Sequence, residues 1–168
     1  MQEGSSIAWE GRKITGGKQH GELLFQEAYL DFEDKNVVGG KFVVDMNSMT
    51  DNGSGVADHL KNEDFFETNT YPTATFEITE VITDELPRLE ARGNMTIKGV
   101  THPMDIRMIV APDFSRAGYV TITTQLNLDR TLWGITYKSK SVLGDLADGV
   151  IEDLMEINVG VVLKIDDK

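Results

Sequence analysis

The side chains able to do chemistry are few, and their spacing speaks first against a metal. His20, His59 and His102 are the only histidines, and none forms the His-x-x-x-His pair that would put two imidazoles on one helix face. The chain has no cysteine, so thiolate ligands, disulfides and a cysteine nucleophile are excluded. Asp45 to Gly53 has the acidic look of a calcium loop. Met49 falls at its fifth position and Thr50 at its sixth, where such a loop needs an oxygen ligand and a glycine. No metal and no cofactor is expected.

Carboxylates offer the next chemistry. Glu63-Asp64 and Glu152-Asp153 are acid pairs of the kind a glycosidase uses. The chain holds 28 Asp and Glu against 16 Lys and Arg, a net charge of −12, so such pairs arise by chance and a solvated face is the simpler reading. Neither a Gly-x-Ser-x-Gly elbow nor a phosphate-cradling Gly loop is present. A hydrolase built on the acid pairs thus has no further motif behind it, and no enzymatic activity is expected. The acidity also disfavours nucleic acid and anionic membranes, both of which need clustered Lys and Arg.

The stretch His59-Leu60-Lys61-Asn62-Glu63-Asp64-Phe65-Phe66 remains, followed by the break Tyr71-Pro72. One of the two phenylalanines can anchor a short helix over the end of a sheet while the other lines an entrance. A plain plug of core residues fits equally well. His59 stands beside Asp58, with which it can form a hydrogen bond that fixes the helix, or it can touch a ligand head group.

The elements that must position these residues are mostly strands. With 40 % hydrophobic and 26 % charged residues in 168, the chain is one globular domain spanning 1–168. No run approaches the roughly 20 apolar residues of a membrane span. The dominant period is two. Ala28, Leu30 and Phe32 share a face, then Phe42, Val44 and Met46, with Asp34-Lys35-Asn36 between them as a hairpin turn. Gly39-Gly40 predicts a bulge or bend. Asn47 to Gly55 reads as a loop and Val56 to Asn62 as a two-turn helix. Beyond Pro72, alternation resumes through Ala74, Phe76 and Ile78. It continues through Leu89 to Ile97, Met104 to Val110, Val120 to Leu128 and Met155 to Ile165. One helical turn is expected at Leu143 to Leu146.

About eight strands and one short helix predict an all-β fold, a sandwich or a barrel. The apolar face is rich in Phe and in Met, which packs adaptably against irregular partners such as lipid chains. An eight-stranded barrel is about the size that can enclose one small ligand. Periodicity alone leaves ordinary core and a lined cavity both open.

Four segments carry a family resemblance. They are His59–Phe66 with Tyr71-Pro72-Thr73-Ala74-Thr75-Phe76, Gly93-Asn94-Met95-Thr96-Ile97-Lys98-Gly99-Val100-Thr101-His102-Pro103, Asp129-Arg130-Thr131-Leu132-Trp133-Gly134-Ile135, and Gly40-Lys41-Phe42 through Asp45. Taken in their order along the sequence, across nearly the whole chain, they resemble the YceI-like family of polyisoprenoid-binding proteins. The resemblance implies an antiparallel eight-stranded, lipocalin-like β-barrel with an elongated apolar interior. It implies binding of a hydrophobic small molecule, a long-chain isoprenoid of the quinone or prenyl phosphate type, without catalysis. Members are often periplasmic and sometimes dimeric. A periplasmic or secreted location is therefore expected, with the leader already removed from this chain and a cytoplasmic location as the alternative. A homodimer is left open.

On this reading the cavity lining is Phe25, Phe42, Val44, Met46, Phe65, Phe66, Ala74, Phe76, Ile78, Met95, Ile97, Met108, Trp133, Met155 and Ile157. His59 and Arg130 are the head-group candidates. Arg130 is expected to be partly buried, where it needs a carboxylate or carbonyl partner or holds a head group instead. Asp129 and Trp133 depart from the asparagine and phenylalanine common in the family, and the larger Trp133 is expected to reshape the cavity. The alternative from another class is an acidic β-sandwich module binding carbohydrate or a protein on its surface, with Trp9, Trp133 and the tyrosines as its aromatic contacts.

Overall fold

A computed structural model describes residues 4–144 and 149–164. Eight strands follow in order: β1 (Ser6–Arg12), β2 (Lys18–Glu33), β3 (Asn36–Asp45), β4 (Thr73–Glu85), β5 (Arg88–Ile97), β6 (Val100–Pro112), β7 (Tyr119–Asp129) and β8 (Leu154–Lys164). Each pairs antiparallel with the next, and β1 pairs with β8, so the sheet closes into a barrel. The closure decides between the two expected architectures: this is a barrel and not a sandwich. Closure also removes the unpaired edges that an open sheet would expose.

Turn chemistry sets the hairpins where the sequence predicts them. Lys98 and Gly99 both take positive φ (47° and 73°), the twist that a two-residue antiparallel turn requires. Asp34, at φ 55°, turns β2 into β3. The bulge expected at Gly39-Gly40 falls one residue earlier. Asp31 faces Gly39 and Phe32 faces Val37, leaving Val38 as the extra residue.

The two longest connections lie at one end of the barrel. There, β3 is joined to β4 through a 3₁₀ turn at Met46–Ser48 and helix α1 (Val56–Leu60). At the same end β7 leads to β8 through a second 3₁₀ turn at Arg130–Trp133 and helix α2 (Lys140–Leu143). The helical turn expected at Leu143 to Leu146 thus begins three residues earlier, and the rest of that expectation lies outside the described residues, as does Ile165. No helix among the described residues is long and apolar enough to cross a membrane.

The wall is uneven. β5 and β6 are paired along ten positions, from Arg88↔Ile109 to Ile97↔Val100, whereas β6 and β7 pair only from Ile109↔Thr123 to Pro112↔Val120. Where the ladder stops, the Thr124 hydroxyl donates to the Arg107 carbonyl at 2.7 Å, standing in for a backbone bond. Further down, His102 Nε2 donates to the Leu132 carbonyl at 2.9 Å, and its ring meets Trp133 edge-on at 5.5 Å.

Candidate functional site: a one-ended apolar cavity

Inside the barrel lies a cavity of about 380 Å³, within the ordinary range for small-molecule pockets. It occupies the half of the barrel nearer the long connections. The other half is filled by side chains such as Val37, Leu89, Ala91, Val110 and Val161, all buried. The difference shows in exposure. Val44, Met95, Leu126, Met155, Ile157 and Val159 line the cavity yet are only half-buried, because the space in front of them is empty.

Most of the residues expected to line a cavity do lie on this one. Phe25, Phe42, Val44, Met46, Phe65, Phe66, Ala74, Phe76, Met95, Ile97, Met108, Met155 and Ile157 all form the wall. Two do not. Ile78 points inward and is buried, but it belongs to the filled half of the barrel. Trp133 is 3 % exposed and sits outside the cavity, where β6 and β7 have parted. There its indole N–H donates to the Met95 carbonyl at 3.4 Å. It therefore does not line the cavity. Trp9 is also buried, at 8 %, with its N–H on the Thr50 carbonyl at 3.2 Å. Neither tryptophan therefore offers the exposed platform that a surface sugar site would need.

Several wall residues escape the sequence reading. Trp9, Leu23, Ile106, Ile122, Leu126 and Leu128 lie on the same alternating faces and were legible as inward. Met49, Tyr137 and Ile151 come from irregular segments, where no period announces a face. Met49 arrives because Gly21 lets the loop in: a Cβ on Gly21 would sit 1.8 Å from the Thr50 carbonyl oxygen. Phe76 lies flat over Gly93 for the same reason, since a Cβ there would come within 2.5 Å of its ring.

Arg130 lies in the wall and is 1 % exposed. Its guanidinium donates to three carbonyls: Ile135 at 2.8 Å, Glu152 at 3.3 Å and Ile151 at 3.3 Å. Asp153 lies 3.7 Å away, and the Phe65 ring centroid 5.9 Å. Burial lowers the pKa of this guanidinium, against the opposing charges of Asp153 and Asp129. It remains a cation, whose work is to tie the 3₁₀ turn to the segment entering β8. Asp153, one of the suspected catalytic acids, caps α2. It accepts from the Ser139 hydroxyl at 2.6 Å, Lys140 N at 3.1 Å and Ser141 N at 2.9 Å. Desolvation raises its pKa, but those bonds and Arg130 outweigh it and leave the carboxyl below its ordinary value.

His59 also lies in the wall. Its hydrogen bond runs to Asn62 at 3.0 Å, in place of the Asp58 partner expected from sequence. Asp58 is a neighbour in a helix and points away from His59, since adjacent residues do not share a face. The imidazole stacks edge-on against Phe65 and Tyr137, each at 5.1 Å. Phe65 is thereby held at the barrel end, and Phe66 is buried beside the same cavity. Asp51, from the rejected calcium loop, caps α1 by accepting from Ala57 N at 2.7 Å and Gly53 N at 2.7 Å. Among the described residues no cluster of acids and histidines is placed to hold a metal.

Comparison with known proteins adds three findings. A family model described as a YceI-like domain matches residues 1–163. A UPF0312 protein of Vibrio parahaemolyticus is 34 % identical over 79 residues, which are 46 % of this chain and 42 % of that protein. A UPF0312 protein of Pseudomonas aeruginosa is 36 % identical over 78 residues, 45 % of this chain and 40 % of that one. The aligned stretch thus spans less than half the length of these relatives. Among solved structures, Burkholderia cenocepacia BcnA superposes with a TM-score of 0.77 at 20 % identity, covering 95 % of this chain and 96 % of its own. A polyisoprenoid binding domain from Saccharophagus degradans gives 0.68 at 18 % identity, covering 96 % and 94 %. At these identities the structures speak for the shared barrel alone. The family model spans almost the entire sequence, and the chain belongs to the YceI-like family.

Proposed function

We propose that this protein is a non-catalytic binding protein that sequesters or carries one long-chain isoprenoid lipid, of the quinone or prenyl phosphate type, in its barrel. The observation that carries the reading is the apolar cavity of about 380 Å³, filled by side chains at one end of the barrel and reaching the surface at the other. Such a shape suits one flexible hydrocarbon chain. Each CH₂ transferred from water into it contributes about 0.8 kcal/mol, and a preformed cavity adds little ordering cost on the protein side. The name of the Saccharophagus degradans domain, which has the same fold, supports the same class of ligand. We propose a periplasmic or secreted setting, where a lipid crossing water needs such a shield.

Organic extraction of the purified protein, followed by mass spectrometry of the extract, tests this reading. One prenyl-tailed lipid per chain is expected, seen also as a bound mass on the intact protein. A chain that is empty as purified, and still empty after incubation with prenyl lipids, overturns it.

A further inference from the structure

The cavity wall is mostly apolar, and the charge at its mouth is not what the whole molecule would suggest. Among the described residues, the only wall residues exposed to solvent are Arg12, Lys13 and Lys138. All three are cations, in a chain whose net charge is −12. Arg12 is already engaged by Glu10 at 2.6 Å and Glu156 at 3.5 Å. Glu152, the carboxylate of the wall, faces Lys140 at 3.7 Å. Lys13 and Lys138 have no acidic partner among the described residues.

The backbone brings these two lysines together. Lys13 pairs with Ile151 in an antiparallel bridge on one side, while Ser139 pairs with Ile151 in a parallel bridge on the other. Ile151 N donates to the Lys138 carbonyl at 2.8 Å, and Ile14 N donates to the Val150 carbonyl at 3.1 Å. Both lysines therefore flank one wall residue. Lys138 is held and not waving: its Nζ lies 5.7 Å from the Tyr137 ring centroid and 3.3 Å from where a Cβ on Gly149 would be. Just before Lys13 in the chain, Gly11 pairs with Gln19, and both line the cavity. Gly11 leaves open space in front of it.

We propose that this mouth is an anion subsite, in which Lys13 and Lys138 take the phosphate or carboxylate head of the lipid whose tail lies in the cavity. The inference rests on the tail-binding reading above and narrows it: the preferred ligand carries a negative head, and a neutral quinone is the weaker ligand. Two lysine ammonium groups at the rim of a low-dielectric cavity attract an anion more strongly than they would on a flat, fully hydrated face. Their charge-assisted bonds also leave the hydrocarbon tail pointing inward.

Farnesyl monophosphate and farnesol share one tail and differ in the head. Each is titrated into the full chain, with binding followed by calorimetry and by tryptophan fluorescence, since Trp9 lies in the wall. The phosphate is expected to bind about tenfold or more tighter, with a gap that shrinks as salt rises. In the double variant Lys13→Gln with Lys138→Asn the gap is expected to close through weaker binding of the phosphate. Asparagine is chosen because residue 138 has φ 45°. Equal binding of the two probes by the wild type, or a gap that survives in the double variant, overturns the anion subsite and leaves the tail cavity standing. Failure of both probes to bind overturns the cavity reading itself. Inorganic phosphate alone is expected to compete only at far higher concentration. If it binds as tightly as the prenyl phosphate, the site is for free phosphate and not for a lipid head.

Discussion

Arg130 shows how one buried charge is made useful. Its hydrogen bonds go to the carbonyls of Ile135, Ile151 and Glu152. Arg130→Met keeps the length and removes the donors, leaving those carbonyls unsatisfied. A loss of about 3 kcal/mol is expected, read as a lower urea midpoint with an unchanged slope. Asp153 makes a complementary prediction in pH. Its folded pKa is lowered, so its contribution is fully present above the unfolded value of about 3.9 and is lost as pH falls from there through the folded pKa. Asp153→Asn should therefore narrow the difference in melting temperature between pH 6 and pH 3 relative to the wild type. An equal acid drop in both proteins would remove Asp153 from the account.

Among the elements, the β6–β7 seam is the informative one. Backbone pairing ends at Ile109↔Thr123, and below it side chains link β6 to β7 and to the turn that follows it: Thr124 on Arg107, and His102 on Leu132. Amides between Thr101 and Arg107 that face away from β5 are expected to exchange with deuterium faster than those of the β5–β6 ladder. Thr124→Val removes the hydroxyl bond at the top of the seam. It should cost about 1 kcal/mol and further speed exchange there, while β7–β8 amides stay protected. Uniform protection around the barrel would mean that the seam is as tight as the rest of the wall.

Taken whole, the molecule divides into a filled half and an empty half. Ala74 is buried in the wall of the empty half. Ala74→Trp places an indole in the space the tail is proposed to use. Lipid recovered per chain should fall to near zero while the circular dichroism of the barrel is retained, with any overpacking costing about 1–3 kcal/mol. Unchanged lipid recovery would locate the tail elsewhere. The same division explains why alternation overreached at Ile78. A period of two tells which side of the sheet a residue faces, but not how far along the barrel the interior is occupied.

Sequence alone determined the strand count, the inward faces and the tight turns, because each rests on neighbours within a few residues: a period of two, an Asp-Lys or Lys-Gly pair at the hairpin, a Pro at the break. The order of its four motifs along the sequence was also legible as a YceI-like resemblance. Tertiary structure decided what distant segments do when they meet. Closure of β1 on β8 turned an apolar face into a cavity wall. Trp133 left the wall because β6 and β7 part beside it. Lys13 and Lys138, 125 positions apart in the chain, became neighbours of one isoleucine. No local pattern encodes these meetings, since they depend on which strand ends the closed sheet brings to the same rim.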